Sequence, residues 1–338
     1  MSHFNILSPQ TIATLTSTRE GETKLGQTIQ TITADRWEDV LKKNSASYVL
    51  IGIPEDIGVR ANYGIGGTQS LWQPALKAIL NIQETEKLKG ASILALGYFD
   101  FSDWIKISQQ EDIATLRNRV SQIDELVFPI IQTIVAAGKT PIIIGGGHNN
   151  AYPLLKGSSL AIGKALNSVN LDAHSDYRIM EGRHSGNGFR YAHAEGFLRK
   201  YHIIGLHENY NSAAVMADIY QHPDVHYTTY EAIFLQEKID YATVLKQTAI
   251  ALNDAPVGVE LDLDCISNTL SSAATPCGIS TLQARKYVSY FAEHTNVGYL
   301  HLTEGAVRLE DGRESALTPK LIAYLFSDFI KGCEQRKS

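Results

Sequence analysis

Three short stretches carry side chains of the kind that hold metal ions. In Asn170-Leu-Asp-Ala-His-Ser-Asp176, two carboxylates and an imidazole alternate with Ala173 and Ser175. In extended chain, residues two apart point the same way, so Asp172, His174 and Asp176 can converge on one side. Left uncompensated beside an apolar run, those charges would repel; a divalent cation turns the repulsion into binding. His148 follows three glycines and the apolar run Pro141-Ile-Ile-Ile144, and Asp262-Leu-Asp264 follows Val257-Gly-Val-Glu-Leu261. Each time a short hydrophobic strand delivers His or Asp at its carboxyl end, the edge where an open parallel sheet binds its ligands. A solvated turn is the plainer account of Asp-x-His-x-Asp alone. Three matching strand ends favour a shared site, and six ligand-type side chains (His148, Asp172, His174, Asp176, Asp262, Asp264) suit two ions with bridging carboxylates better than one ion that must keep an open position.

Gly-Gly-Gly-His148, Asp172-Ala-His174-Ser-Asp176 and Asp262-Leu-Asp264 resemble the signature motifs of the arginase, agmatinase and formimidoylglutamase family, the ureohydrolases, over about residues 52–330. The resemblance implies an arginase-like α/β fold, two Mn2+ ions per chain on those six residues, and hydrolysis of a C–N bond in a formimino or guanidino group. It also implies roles for Asp176, which would accept and pass on a proton, and for Glu304, which matches a family glutamate that binds the planar amidine. Within the family, Pro54-Glu-Asp-Ile-Gly-Val-Arg-Ala-Asn62, Asp-Tyr-Arg178 and Ser185-Gly-Asn-Gly-Phe-Arg190 are similar to the formimidoylglutamases, whose substrate carries carboxylates. Arginases and agmatinases place a proton-shuttling His near the glycine motif of that last loop; His184, His193 and His207 are the candidates here. The implied reaction is N-formimidoyl-L-glutamate to glutamate and formamide, with a urea-releasing guanidino substrate as runner-up. Asn187-Gly188, Ser267, Asn268 and Gly305 depart from the family pattern, so a non-catalytic relative stays open, separable by metal content. A single-zinc deacylase would need a His pair beside its ion, and Asn149-Asn150 offers none.

Substrate contacts are expected from two loops. Arg60 and Asn62, a cationic fork and an amide on a glycine-containing loop leaving a strand, suit a carboxylate ligand, with a salt bridge from Arg60 to Glu55 or Asp56 as the competing use. Arg183, Ser185 and Asn187 lie in the polar segment after the metal motif. Asn149, beside His148, would serve the metal pocket or the substrate.

The elements that must position these groups read as strand, helix, strand in repetition. Apolar residues at Ile113, Leu116, Val120, Ile123, Val127, Ile131 and Ile134 predict a helix closed by Gly138, kinked or divided at Pro129. Thr318-Pro319 opens a last helix, expected to stop at Gly332. The pattern predicts a three-layer α/β/α fold with a mostly parallel central sheet of about eight strands. Residues 46–338 form one domain, and residues 1–45, with a helix over 31–43, form an extension packing on it.

Of 338 residues, 44% are hydrophobic and the net charge is −6, which excludes a basic nucleic-acid surface. No apolar run approaches the roughly 20 residues needed to cross a bilayer, and no secretory leader is evident. Cys265, Cys277 and Cys333 are odd in number without CxxC spacing, the usage of reduced cytoplasmic thiols. The expected partner is a small-molecule substrate, with no nucleic acid and no membrane; the family resemblance implies a homo-oligomer.

Overall fold

The computed structural model describes residues 3–32 and 37–337. Nine strands form one sheet: β1 Phe4–Ile6, β2 Tyr48–Gly52, β3 Ile93–Phe99, β4 Thr140–Ile144, β5 Leu166–Leu171, β6 Leu198–Leu206, β7 Val225–Thr229, β8 Val257–Asp262 and β9 Val297–Thr303. Their order is β1-β3-β2-β4-β9-β8-β5-β6-β7. All pair in parallel except β1, which lies antiparallel to β3. Helices cover both faces, giving the expected three layers with one strand more than sequence periodicity counts. The extra strand, Phe4-Asn-Ile6, is too short to carry a period-2 signal.

β2, β5 and β8 are buried at every position, so their side chains divide between two cores rather than between core and water. Leu50, Ile142, Ile144, Val259 and Leu300 join the core under the helices Trp72–Leu80, Thr281–His294 and Thr318–Lys337. Val49, Ile51, Ile143 and Tyr299 join the other, under Ile113–Ala136 and Ala151–Ile162. The helix Ile113–Ala136 is capped by the Asp112 carboxylate on the Thr115 amide and runs through Pro129 without dividing. Gly138 follows it at φ 72°, the left-handed region that glycine enters at no steric cost.

Gly332 does not end the last helix, which continues to Lys337. A Cβ there would meet Ser289 O at 2.7 Å and Ala292 Cβ at 2.8 Å. The glycine therefore serves close approach to the neighbouring helix rather than termination. Of the helix expected over 31–43, Trp37–Lys43 is formed, and 33–36 lie outside the described residues. Among the described residues, no helix is long and apolar enough to cross a membrane.

β9 and β8 slot between β4 and β5, so chain-consecutive strands are separated by two others at the sheet's centre. The four neighbours β4, β9, β8 and β5 open a crevice at their carboxyl ends, and every residue of the motifs leaves the sheet there.

Candidate metal centre

Each tip turns by a local device. After β4, Gly145 and Gly146 adopt φ 87° and 79°. A Cβ on Gly146 would lie 2.8 Å from Ile53 O and 2.4 Å from Asn150 Nδ2, so only glycine lets the chain pass and start the turn His148–Asn150. The Asp172 carboxylate accepts from the His174 amide at 2.7 Å, and Asp262 accepts from the Asp264 amide at 2.8 Å. This one Asx-type turn, used twice, brings the second ligand of each motif back toward the first. Strand alternation is not what converges Asp172, His174 and Asp176, because β5 ends at Leu171 and Asp176 sits at φ 46°. Glu304 is likewise left-handed, at φ 61°. Non-glycine residues are held there only where surroundings over-determine them.

All six expected ligands come together. His148 Nδ1 lies 2.9 Å from Asp176 Oδ2, 3.2 Å from Asp262 Oδ2 and 3.3 Å from Asp172 Oδ2. His174 Nδ1 lies 3.2 Å from Asp264 Oδ2 and 3.6 Å from Asp172 Oδ1. The ligand atoms form two groups, His148–Asp172–Asp176–Asp262 and Asp172–His174–Asp264, each spanning no more than 4.8 Å. Asp172 belongs to both groups, with Oδ2 toward His148 and Oδ1 toward His174. Burial, then the neighbouring Asp172 carboxylate, pushes Asp176 up to about 6. Burial, opposed by the His148 amide and reinforced by Asp264 and Asp176, pushes Glu304 up to about 8. Asp264 Oδ1 is buried without a hydrogen-bond partner. Buried, mutually repelling carboxylates with an orphaned oxygen, mixed with imidazole nitrogen, are a donor set that fits divalent cations.

Above the cluster is a cavity of about 440 Å³. His174, Asp176, Asp262, Asp264 and Glu304 line it, together with Asn62, Ser185, Gly186, Arg178, Tyr210, Ser212 and Ser272. Asn62 and Ser185 thus stand where the sequence places them, joined by a 3.3 Å hydrogen bond.

Four expected substrate contacts do not reach this cavity. Arg60 is held by Asp56 at 2.9 Å and Ser108 at 2.6 Å, the competing internal bridge. Arg183 is buried, donating to Asp124, Asn187 and Asn149 O. The Asn187 side chain closes its own loop, accepting from Arg183 and from the His184 amide and donating to Gly182 O. Asn149 donates to Glu55, a buried carboxylate that also accepts from Gly58, Gly147 and Asn150. All four are polar side chains engaged by the scaffold, although Asn149 Oδ1 is buried without a hydrogen-bond partner.

Arg178, carried above only as part of a family motif, also lines the cavity. It stands two positions after Asp176, and its side chain is 48% exposed on the cavity wall, 3.1 Å from Glu181. The signal was the guanidinium spaced two residues from a ligand. Asn211 had no such signal, yet its side chain holds the metal loop through the Ser175 amide and Ala173 O. His184 and His207 are buried outside the cavity lining, and His193 pairs with Tyr177.

A model of the arginase family matches residues 46–327. A formimidoylglutamase of Geobacillus thermodenitrificans is 28% identical over 268 residues, covering 78% of either chain. Among solved structures, the formimidoylglutamase of Bacillus subtilis superposes with a TM-score of 0.76 at 19% identity, covering 94% of both chains. A Trypanosoma cruzi formiminoglutamase with Mn2+ superposes with a TM-score of 0.71 at 21% identity, covering 93% of this chain and 99% of that one. At such identities the structural likeness speaks to the fold.

Proposed function

Since the chain belongs to the arginase family, we propose that it is a hydrolase that cleaves the formimino C–N bond of N-formimidoyl-L-glutamate, giving glutamate and formamide. Two divalent cations, Mn2+ by the oxygen-rich donor set, would be held by His148, Asp172, Asp176 and Asp262 and by Asp172, His174 and Asp264. When bound, such a pair supplies a nucleophile by lowering the pKa of water toward about 7 and stabilises charge developing in an addition to the amidine carbon.

The chain's own groups do the rest. Glu304 lies deep in the cavity and orients the amidinium, its carboxylate accepting two parallel hydrogen bonds from the planar cation. A bound cation favours the ionised form of a carboxyl that burial otherwise keeps protonated. Asp176 faces the same space and takes a proton from the attacking water, returning it to the leaving nitrogen. At the wall, Arg178 receives a substrate carboxylate, and Asn62, Ser185 and Ser212 offer neutral hydrogen bonds beside it.

The observation that carries this reading is the polarity of the cavity: among its lining residues, Glu304 is the buried carboxylate left over from the six candidate ligands, and Arg178 is the single guanidinium. That is the complement of a molecule cationic at one end and anionic at the other. It disfavours agmatine, which lacks a carboxylate, and it gives a degenerate, non-binding relative no reason to keep all six ligands. The test is turnover of N-formimidoyl-L-glutamate, L-arginine and agmatine by Mn2+-loaded protein, with elemental analysis beside it. Formamide released from the first, at two ions per chain, supports the assignment. Urea from arginine moves it to the runner-up, and no turnover with fewer than two ions overturns it. The same proposal includes a cytoplasmic setting, consistent with three cysteines outside any disulfide, and a homo-oligomer, to be measured by light scattering.

A further inference from the structure

One register row beneath the ligand tips, Asn170, Glu260 and His301 are cross-strand neighbours on β5, β8 and β9. All three are fully buried, within a sheet whose positions there are otherwise mostly apolar. Asn170 donates to Asp172 Oδ2 at 2.9 Å. Glu260 has no place in the reaction described above and does not line the cavity. Its Oε1 accepts from the Tyr299 hydroxyl at 2.6 Å, and its Oε2 pairs with His301 Nδ1 at 2.7 Å. That same Oε2 lies 3.4 Å from His148 Nε2. Tyr299 can reach it because Gly258 stands opposite: a Cβ there would lie 2.5 Å from the tyrosine hydroxyl.

The two edges of the His148 ring therefore face different things. Nδ1 faces Asp172, Asp176 and Asp262. Nε2 is buried without an aligned hydrogen bond, and Glu260 is the acceptor within reach. A neutral imidazole carries its proton on one nitrogen only, and the lone pair on the other binds a cation. We infer that Glu260, braced by Tyr299 and His301, is a positioning residue that keeps the His148 proton on Nε2, so that the Nδ1 lone pair faces the His148–Asp172–Asp176–Asp262 group. Glu260 thereby sets the cation affinity of that group and leaves Asp172–His174–Asp264 largely alone. Outer carboxylates that orient a ligating histidine typically change metal affinity about 10–100-fold.

This inference rests on reading the two groups as cation positions, and the experiment separates the two claims. Mn2+ binding to the full chain is measured by calorimetric titration and elemental analysis for the parent, Glu260→Gln and Tyr299→Phe. The parent should hold two ions. E260Q, which keeps the shape and removes the charge, should weaken one position about 10–100-fold and the other less than about threefold, so that stoichiometry at limiting Mn2+ falls from two toward one. Y299F should weaken the same single position by less, and it carries the test alone if E260Q does not fold. Unchanged affinities, or two positions weakened in parallel as general loosening would produce, overturn the inference while leaving the metal reading intact. A parent chain binding fewer than two ions overturns both.

Discussion

Replacing Arg183 with methionine separates a scaffold role from the substrate contact that its loop position suggests. The guanidinium is 4% exposed. It donates to Asp124 at 2.9 and 3.3 Å, to Asn187 Oδ1 at 2.8 Å and to Asn149 O at 2.7 Å, and it lies over the rings of Tyr152 and Tyr191. Removing one partner of a buried ion pair costs about 3–5 kcal/mol, because the other charge stays behind unpaired. With about 2.1 cal/mol/K of unfolding entropy per residue, 338 residues lose roughly 1.4 °C per kcal/mol. R183M should therefore melt about 4–7 °C below the parent at pH 7.5, by calorimetry at matched Mn2+ concentration. Burial, against the pull of Arg183, already pushes Asp124 up to about 6. Without the arginine its folded pKa rises further above the unfolded value near 3.9. The penalty is then greatest where the acid must ionise on unfolding or pay for staying charged, at neutral pH, and it fades as pH falls toward 5, so the deficit should narrow there. Adding Asp124→Leu should recover much of the loss. A midpoint within about 1 °C of the parent, with KM raised more than about tenfold, would refute this reasoning and return Arg183 to the substrate.

Arg178→Met should raise KM for N-formimidoyl-L-glutamate about 10–100-fold, the loss of a charge-assisted hydrogen bond worth about 1.5–3 kcal/mol, with kcat and melting point nearly unchanged; an unaltered KM removes Arg178 from the substrate site. Gly332→Ala tests whether that glycine spaces two helices: intrinsic propensity favours alanine by about 1 kcal/mol, whereas the 2.7 and 2.8 Å contacts a Cβ would make predict an overpacking cost of about 1–3 kcal/mol, a net loss of up to about 2 kcal/mol. A raised melting point would contradict the packing account. Burial, then Arg117 and Arg178, lower the His184 imidazole to about 4. A base whose folded pKa lies below its unfolded 6.5 contributes its full stability above pH 6.5 and loses it as pH falls toward 4, here at most about 3 kcal/mol. His184→Gln should accordingly lose less melting temperature than the parent between pH 7.5 and 5, by about 3 °C; parallel losses would contradict the shift.

What the amino-acid sequence determined by itself is the part governed by short-range geometry. Apolar strands ending in Gly145-Gly-Gly-His148, Asp172-Ala-His174-Ser-Asp176 and Asp262-Leu-Asp264 announce the six candidate ligands that the fold brings together, since which residue leaves a strand tip depends only on its neighbours. The alternation of strand and helix likewise announces the layered, mainly parallel sheet. Only the tertiary structure decided which partner each remaining charge meets. Arg183 finds Asp124 59 positions away, Arg60 finds Ser108 48 positions away, and both are thereby withdrawn from the cavity, while Arg178 on the same local evidence stays at its wall. Gly332 reads as a stop until another helix is seen against it. A side chain's type and spacing fix what it can bind, but its use depends on which acceptors distant segments bring within about 3 Å, and chain order holds no record of those distances.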